Sequence, residues 1–194
     1  MLSIQSFQDR KFTALITALC IVIYFIGELG FKEPIFEMAH YPYYANEDTQ
    51  IWRYLSHTLV HLSPMHIMFN LVWWWGFAGL IERLLGSGKL IAMYLIAGIL
   101  SGVAQNMASG PAFFGLSGVV YAVLAYVFAL DRFSSPSPLN LPQGFIYSLL
   151  LGIGIGLISP LFGVYMGNAA HITGFAIGLV WGFIDAKRYS ALNQ

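Results

Sequence analysis

The sequence predicts an all-α membrane protein, a single bundle of six transmembrane helices. Two observations carry this. The 194 residues are 58% apolar and only 9% charged, whereas a soluble domain carries about 25% charged residues. The charges are also clustered, leaving uncharged tracts at 12–27, 54–81, 90–130 and 133–184. A helix needs about 20 residues to cross the hydrocarbon core. The first two tracts therefore hold one span each and the last two hold two each. The expected spans are 12–31, 64–85, 90–108, 115–130, 145–159 and 168–184. Nine acidic residues balance nine basic ones, so nothing in the charge points to nucleic acid as a partner.

Orientation follows from where the basic residues fall. Arg10 and Lys11 precede the first span, Arg83 and Lys89 separate the second from the third, Arg132 follows the fourth, and Lys187 and Arg188 follow the sixth. Only Lys32 and Arg53 lie on the other side. By the positive-inside rule both termini are cytoplasmic. The first span has the flanking charges of a signal peptide, but no small-residue cleavage motif follows Phe31, so it reads as a retained helix. About ten residues precede it, and no separate cytoplasmic N-terminal domain is expected. Cys20, the single cysteine, lies within this run and reads as a small core residue.

Residues 32–62 form the one long outer connection, rich in aromatic residues (Tyr41, Tyr43, Tyr44, Trp52) that suit a segment lying in the interface. The second span opens with Ser63-Pro64, a good N-cap and first helical residue. His66 then falls in the first turn, with Asn70 beneath it on the same face. Trp73, Trp74 and Trp75 follow as packing and lipid contacts, and Glu82 is expected as a solvated or paired carboxylate near the inner end. The third span is featureless until Gln105 and Asn106.

The fourth span carries Ser117 between glycines, beside a small-residue stripe of Gly118, Ala122, Ala125 and Ala129. The sixth carries His171 beside Ala170, Gly174, Gly178 and Gly182. Such stripes let helix backbones approach closely. The fifth span holds Gly152, Gly154 and Gly156 and is the one expected to move, since each glycine costs up to about 1 kcal/mol of helix stability relative to alanine.

A hydroxyl in hydrocarbon is a liability unless it has a partner, and counting along the helices supplies one. Ser117 lies 14 residues before Asp131, and His171 lies 14 before Asp185. At ~1.5 Å per residue both sit roughly 21 Å above the inner boundary. His66 and Asn70, 16 and 12 residues before Glu82, bracket that level. These are the parts needed for acyl transfer: Ser117 as nucleophile, His171 as general base, and His66, Asn70 and the Ser117 N–H as donors to a developing oxyanion. Asp131 and Asp185 lie at the far ends of their helices, so the machinery is expected to be a Ser-His dyad. Tyr121, one turn after Ser117, can stack on the imidazole. His57, His61, Gln105 and Asn106 are expected to line an outward-facing, water-filled cavity.

Four motifs in order, Trp52-Arg53, His61-x4-His66-x3-Asn70, Gly115-Leu116-Ser117-Gly118 and Ala170-His171-x2-Gly174-x3-Gly178, resemble those of the rhomboid intramembrane serine proteases, in particular their bacterial GlpG-like members. The resemblance implies a six-helix rhomboid-like bundle in the bacterial inner membrane, with the active site opening to the periplasmic side. It gives Ser117, His171, His66, Asn70 and Tyr121 the roles above, and implies contact of Gly115, Trp52 and Arg53 with substrate. It also implies transmembrane proteins as substrates and partners, cleaved near small residues, with the first loop and fifth helix involved in access and no cofactor or metal. Two other classes fit parts of the chain: a carrier using His57, His61, His66 and His171 as metal ligands, which lacks a His-Glu-x-x-His motif and any acidic ligand at that depth, and a non-cleaving relative that only binds membrane proteins.

Overall fold

The computed structural model describes residues 10–163 and 165–192, and every element among them is helical. The stretch ahead of Arg10, on which the expectation about an N-terminal domain bears, lies outside the described residues.

Helix α1 (Lys11–Ile26) runs into a π-helical turn at Gly27–Phe31 and then, after a bend at Gly30, into α2 (Lys32–Ala39). The first helical stretch therefore does not end at residue 31 as expected. Gly30 takes a φ of +106°, a conformation open to glycine, and Pro34 suits the first turn of a new helix. After a short α3 (Arg53–Ser56) and a 3₁₀ turn (His57–Leu59), α4 (Pro64–Trp73) starts as anticipated: Ser63 Oγ accepts the His66 N–H at 3.2 Å. A π-helical turn (Trp74–Ala78) joins α4 to α5 (Gly79–Leu85).

Of the two expectations for Glu82 on α5, solvated or paired, the first fails, and the partners it finds are neutral donors rather than a cation. Glu82 is 3% exposed and accepts hydrogen bonds from the Phe12 N–H, the Thr13 N–H, the Thr13 hydroxyl and the Ser87 hydroxyl, at 2.7–2.8 Å. Three of these four donors lie about 70 positions away, at the N–H end of α1, which attracts a carboxylate both as an unsatisfied donor set and through the helix dipole. Trp74, fully buried, donates its indole N–H to Thr13 O at 3.1 Å, fixing α1 alongside the α4–α5 stretch.

The remaining helices are α6 (Ser87–Ser109), α7 (Ser117–Phe133), α8 (Phe145–Ile158) and α9 (Asn168–Leu192). α9 runs eight residues beyond the expected end at 184, because Asp185, Lys187 and Arg188 are compatible with a helix that continues past the apolar layer. α7 is buried all round, with Val119, Ala122, Val123, Ala125 and Tyr126 each fully enclosed, as befits a helix apolar on every face. Four helical stretches are long and apolar enough to cross a membrane: Lys11–Ala39, Ser87–Ser109, Phe145–Phe162 and Asn168–Leu192. α7 is shorter, at 17 residues, and Pro64–Leu85 is diluted by His66, Asn70 and three tryptophans. These two stretches carry Ser117, His66 and Asn70, while His171 lies on α9.

α7 and α9 touch backbone to backbone. A Cβ built on Gly174 would overlap the carbonyl of Gly118, one on Gly178 that of Ala122, and one on Gly182 that of Tyr126. The partners are offset by a constant 56 positions, so the helices run parallel and in register. The stripe on α7 is Gly118, Ala122 and Tyr126, with Ala129 against Gly182, rather than one passing through Ala125. At the end of the bundle away from Ser117, Asp185 of α9 pairs with Lys89 of α6 and accepts the Tyr126 hydroxyl at 2.7 Å.

Candidate active site

Ser117 owes its place to the loop before it. Gly115 has a φ of +126°, so the chain cannot be helical there, and α7 begins at Ser117 rather than at the expected residue 115. The Gly115 N–H donates to His57 O at 2.9 Å, and the Leu116 N–H donates to His61 Nε2 at 3.4 Å. The serine hydroxyl therefore projects from the first turn of a helix, whose N–H groups have no intrahelical acceptor.

His171 is the fourth residue of α9. Gln105 Oε1 accepts the Ala170 N–H at 3.0 Å, which holds that first turn from α6. Close approach at Gly118 and Gly174 then brings the side chains together, with His171 Nε2 2.9 Å from Ser117 Oγ. The Tyr121 ring stacks on the imidazole, centroids 4.6 Å apart and planes 28° apart. His171 Nδ1 is buried and has no hydrogen-bond partner among the described residues. Asp131 is engaged by the backbone N–H groups of Leu139, Asn140 and Leu141, and Asp185 by Lys89 and Tyr126.

His66 faces Gly115. Its Nδ1 accepts the Leu62 N–H at 3.4 Å, which leaves the proton on Nε2, and a Cβ on Gly115 would come within 2.6 Å of that nitrogen. Asn70 is 5% exposed and uses one amide N–H on His66 O at 2.8 Å, which leaves its second N–H free to donate.

The expectation of a water cavity lined by His57, His61 and Gln105 is overturned. All three are buried. His57 Nε2 meets Tyr54 O at 3.1 Å and its ring packs on Tyr41 and Phe113, His61 takes the Leu116 N–H, and Gln105 bonds Ala170 and Ser109. Asn106 is half-buried. These groups hold the backbone around Ser117 and His171. Polar residues in a span need partners, but whether the partner is water or a neighbouring backbone is decided by packing that periodicity does not report. Among the described residues no three His, Cys, Asp or Glu side chains are placed to share a metal ion.

The first loop separates the members of the Trp52-Arg53 pair. Trp52 is half-exposed. Arg53 is 7% exposed, and its guanidinium is used within the loop, on Gln50 Oε1, Glu37 O, Met38 O and Glu47. It organises the loop and presents no free face to a ligand. Glu47 in turn accepts the Tyr43 and Tyr44 N–H groups at 2.8 and 3.0 Å. The Tyr44 N–H above all, then the Tyr43 N–H and the charges of His40 and Arg53, hold its carboxyl below the ordinary value of 4.5. A lowered folded pKa means that the stabilisation is complete above the ordinary value and is lost as pH falls through the folded one. Protection of the Tyr43 and Tyr44 amides, corrected for intrinsic exchange, is therefore expected to stay flat from neutrality down to 4.5 and to fall only below it. Loss of protection between neutrality and that point would mean that a histidine, not Glu47, governs the loop.

Comparison with known proteins places these features in context. A family model described as "Rhomboid domain" matches residues 48–188. The chain is 56% identical over 180 residues to the Rhomboid protease GlpG of Haemophilus influenzae, covering 93% of each. It is 40% identical over 174 residues to the Rhomboid protease GlpG of an Enterobacter species, covering 90% of this chain and 63% of that one. The matched family segment contains the whole cluster around Ser117 and His171.

Proposed function

The chain belongs to the rhomboid family, and from that premise we propose a serine endopeptidase that cleaves membrane proteins within the bilayer, with Ser117 as nucleophile and His171 as its base. One observation carries the assignment of residues: the 2.9 Å contact between Ser117 Oγ and His171 Nε2, made across two helices that sequence alone leaves unconnected. With its proton on Nδ1, the imidazole accepts the hydroxyl proton as Oγ attacks the scissile carbonyl carbon, and then delivers it to the leaving amine. Water attacks the resulting ester, His171 again taking the proton, and Ser117 is regenerated. Tyr121 fixes the ring plane in place of the carboxylate that serves this purpose in a triad.

The developing oxyanion lies over the start of α7. There the Ser117 N–H, the His66 Nε2–H and the second Asn70 amide N–H are the available donors. Removing one such donor costs about 3 kcal/mol of transition-state stabilisation. His66→Ala and Asn70→Ala are each expected to lower kcat on a transmembrane substrate by on the order of a hundredfold, with KM little changed. Steady-state kinetics in detergent or liposomes tests this, and a rise in KM at constant kcat would assign these residues to substrate binding instead.

In this reading Gly115, half-buried two residues before Ser117, and the exposed Trp52 contact the substrate, whereas Arg53 acts through the loop. The substrates are transmembrane proteins. α4–α5 and α7 cross the membrane with the four more apolar stretches to give six spans, since each packs between them. The distribution of lysine and arginine puts both termini in the cytoplasm and opens the site to the periplasmic face of the inner membrane. Labelling of Ser117 by a fluorophosphonate, together with cleavage of a transmembrane substrate, is the direct test of the whole assignment.

A further inference from the structure

α8 sits on the bundle with little buried surface. Within Phe145–Ile158 only Leu149 and Gly156 are buried, while Leu150, Leu151, Ile155, Leu157 and Ile158 are 45–63% exposed. What holds it near the site is a pair of glycines one turn apart. Tyr121 Oη occupies the space a Cβ on Gly152 would need, and Asn168 Oδ1 occupies that of Gly156. Asn168 Nδ2 donates to Gly156 O at 2.8 Å. Among the described residues this is the one side-chain hydrogen bond between α8 and another helix.

Both side chains that touch these glycines also bear on His171. Tyr121 stacks on it, and Asn168 opens α9 three residues ahead of it. The tightest backbone contacts between α7 and α9 begin at Gly174, on the far side of the histidine, whereas at the first turn α7 comes only to ordinary contact distance, a Cβ on Gly118 lying 3.4 Å from Ala170 O. That turn is held from α6 by Gln105 on the Ala170 N–H and from α8 by Asn168. We propose that Asn168 is a positioning residue, which transmits the seating of α8 to His171 and keeps the imidazole in register with Ser117. The proposal rests on the dyad reading above. It links the glycines of the fifth helix to the chemistry: they leave room for the Asn168 amide and for Tyr121, and a larger residue would push both.

The experiment compares Asn168→Ala, Gly156→Ala and the double variant with wild type and Ser117→Ala, in detergent, for the rate of fluorophosphonate labelling and for kcat and KM on a transmembrane substrate. In labelling, a bond forms from Ser117 Oγ to phosphorus, the phosphorus–fluorine bond breaks, fluoride leaves and the proton passes to His171. The rate therefore reads the dyad without requiring a substrate helix to enter. Asn168→Ala and Gly156→Ala are each expected to slow labelling and kcat by roughly tenfold to a hundredfold, the scale of a small misplacement of a catalytic group, with KM unchanged. The double variant is expected to be no slower than either single one, because both disrupt the same contact. Wild-type labelling by Asn168→Ala overturns the proposal. So does a multiplicative loss in the double variant, or a rise in KM with kcat intact, which would make Asn168 a residue of substrate entry. Should Asn168→Ala fail to fold, Gly156→Ala alone decides: wild-type labelling and kcat overturn the proposal, and slowed labelling with KM unchanged sustains it. Ser117→Ala separates the two levels. If it is labelled like wild type the dyad reading fails, and if it is silent while Asn168→Ala labels normally, only the positioning role fails.

Discussion

Ser117→Ala is expected to lower cleavage of a transmembrane substrate by on the order of a millionfold, the scale seen when a serine–histidine pair loses its nucleophile, and to abolish fluorophosphonate labelling altogether. The hydroxyl is half-buried and makes its contact with His171 Nε2 alone, so its loss leaves a single ring nitrogen without a partner and the fold is expected to survive with little change in the unfolding midpoint. His171→Ala is expected to lose nearly as much. The Ser117→Ala/His171→Ala double variant is expected to be no worse than either, because the two residues act as one unit in proton transfer and attack. Full activity in the purified Ser117→Ala protein would falsify the nucleophile assignment. A multiplicative loss in the double variant would show that histidine and serine contribute separately.

Gly178→Val is expected to produce the second large effect, through packing rather than chemistry. A Cβ at residue 178 would overlap the Ala122 carbonyl, which is backbone and cannot rotate aside. Overpacking of this kind costs typically 1–3 kcal/mol, and here it also forces α9 away from α7. The separation moves His171 relative to Ser117, and a displacement of about 1 Å can cost on the order of a hundredfold in rate. The variant is therefore expected to combine a lowered unfolding midpoint with labelling slowed in the fraction that remains folded. Val180→Ala, on an exposed position of the same helix, serves as control and is expected to change neither. Wild-type labelling and stability in Gly178→Val would mean that α7 and α9 are not in backbone contact at this level.

The depth of the site was legible in the sequence because a transmembrane helix is nearly a ruler. Its rise is fixed, its charged ends mark the boundary, and Ser117, His171, His66 and Asn70 fall into one layer by counting. The small-residue stripe on α9 was legible for a related reason, since a repeat of four returns to one face. The stripe on α7 was legible only in part. Tyr126 takes the place assigned to Ala125, as its backbone, not its side chain, meets Gly182.

Distant partners were not legible. Glu82 reads as an interfacial carboxylate until the start of α1 is seen to lie over it. His57, His61 and Gln105 read as cavity lining until their hydrogen bonds to Tyr54, Leu116 and Ala170 are seen. Arg53 stands beside Trp52 in the chain, but its guanidinium lies inside a loop that folds around it.

Hydropathy, charge and helical rise are local properties, so the class of protein, its apolar helices and the common depth of Ser117, His171, His66 and Asn70 could be read along the chain. Nothing along the chain says that Ser117 Oγ and His171 Nε2 lie 2.9 Å apart, that Tyr121 covers the imidazole, or that Gln105 bonds the turn carrying it and Asn168 bonds Gly156. Those facts depend on which faces of separate helices meet, and that is set by the packing of the whole bundle rather than by any one segment.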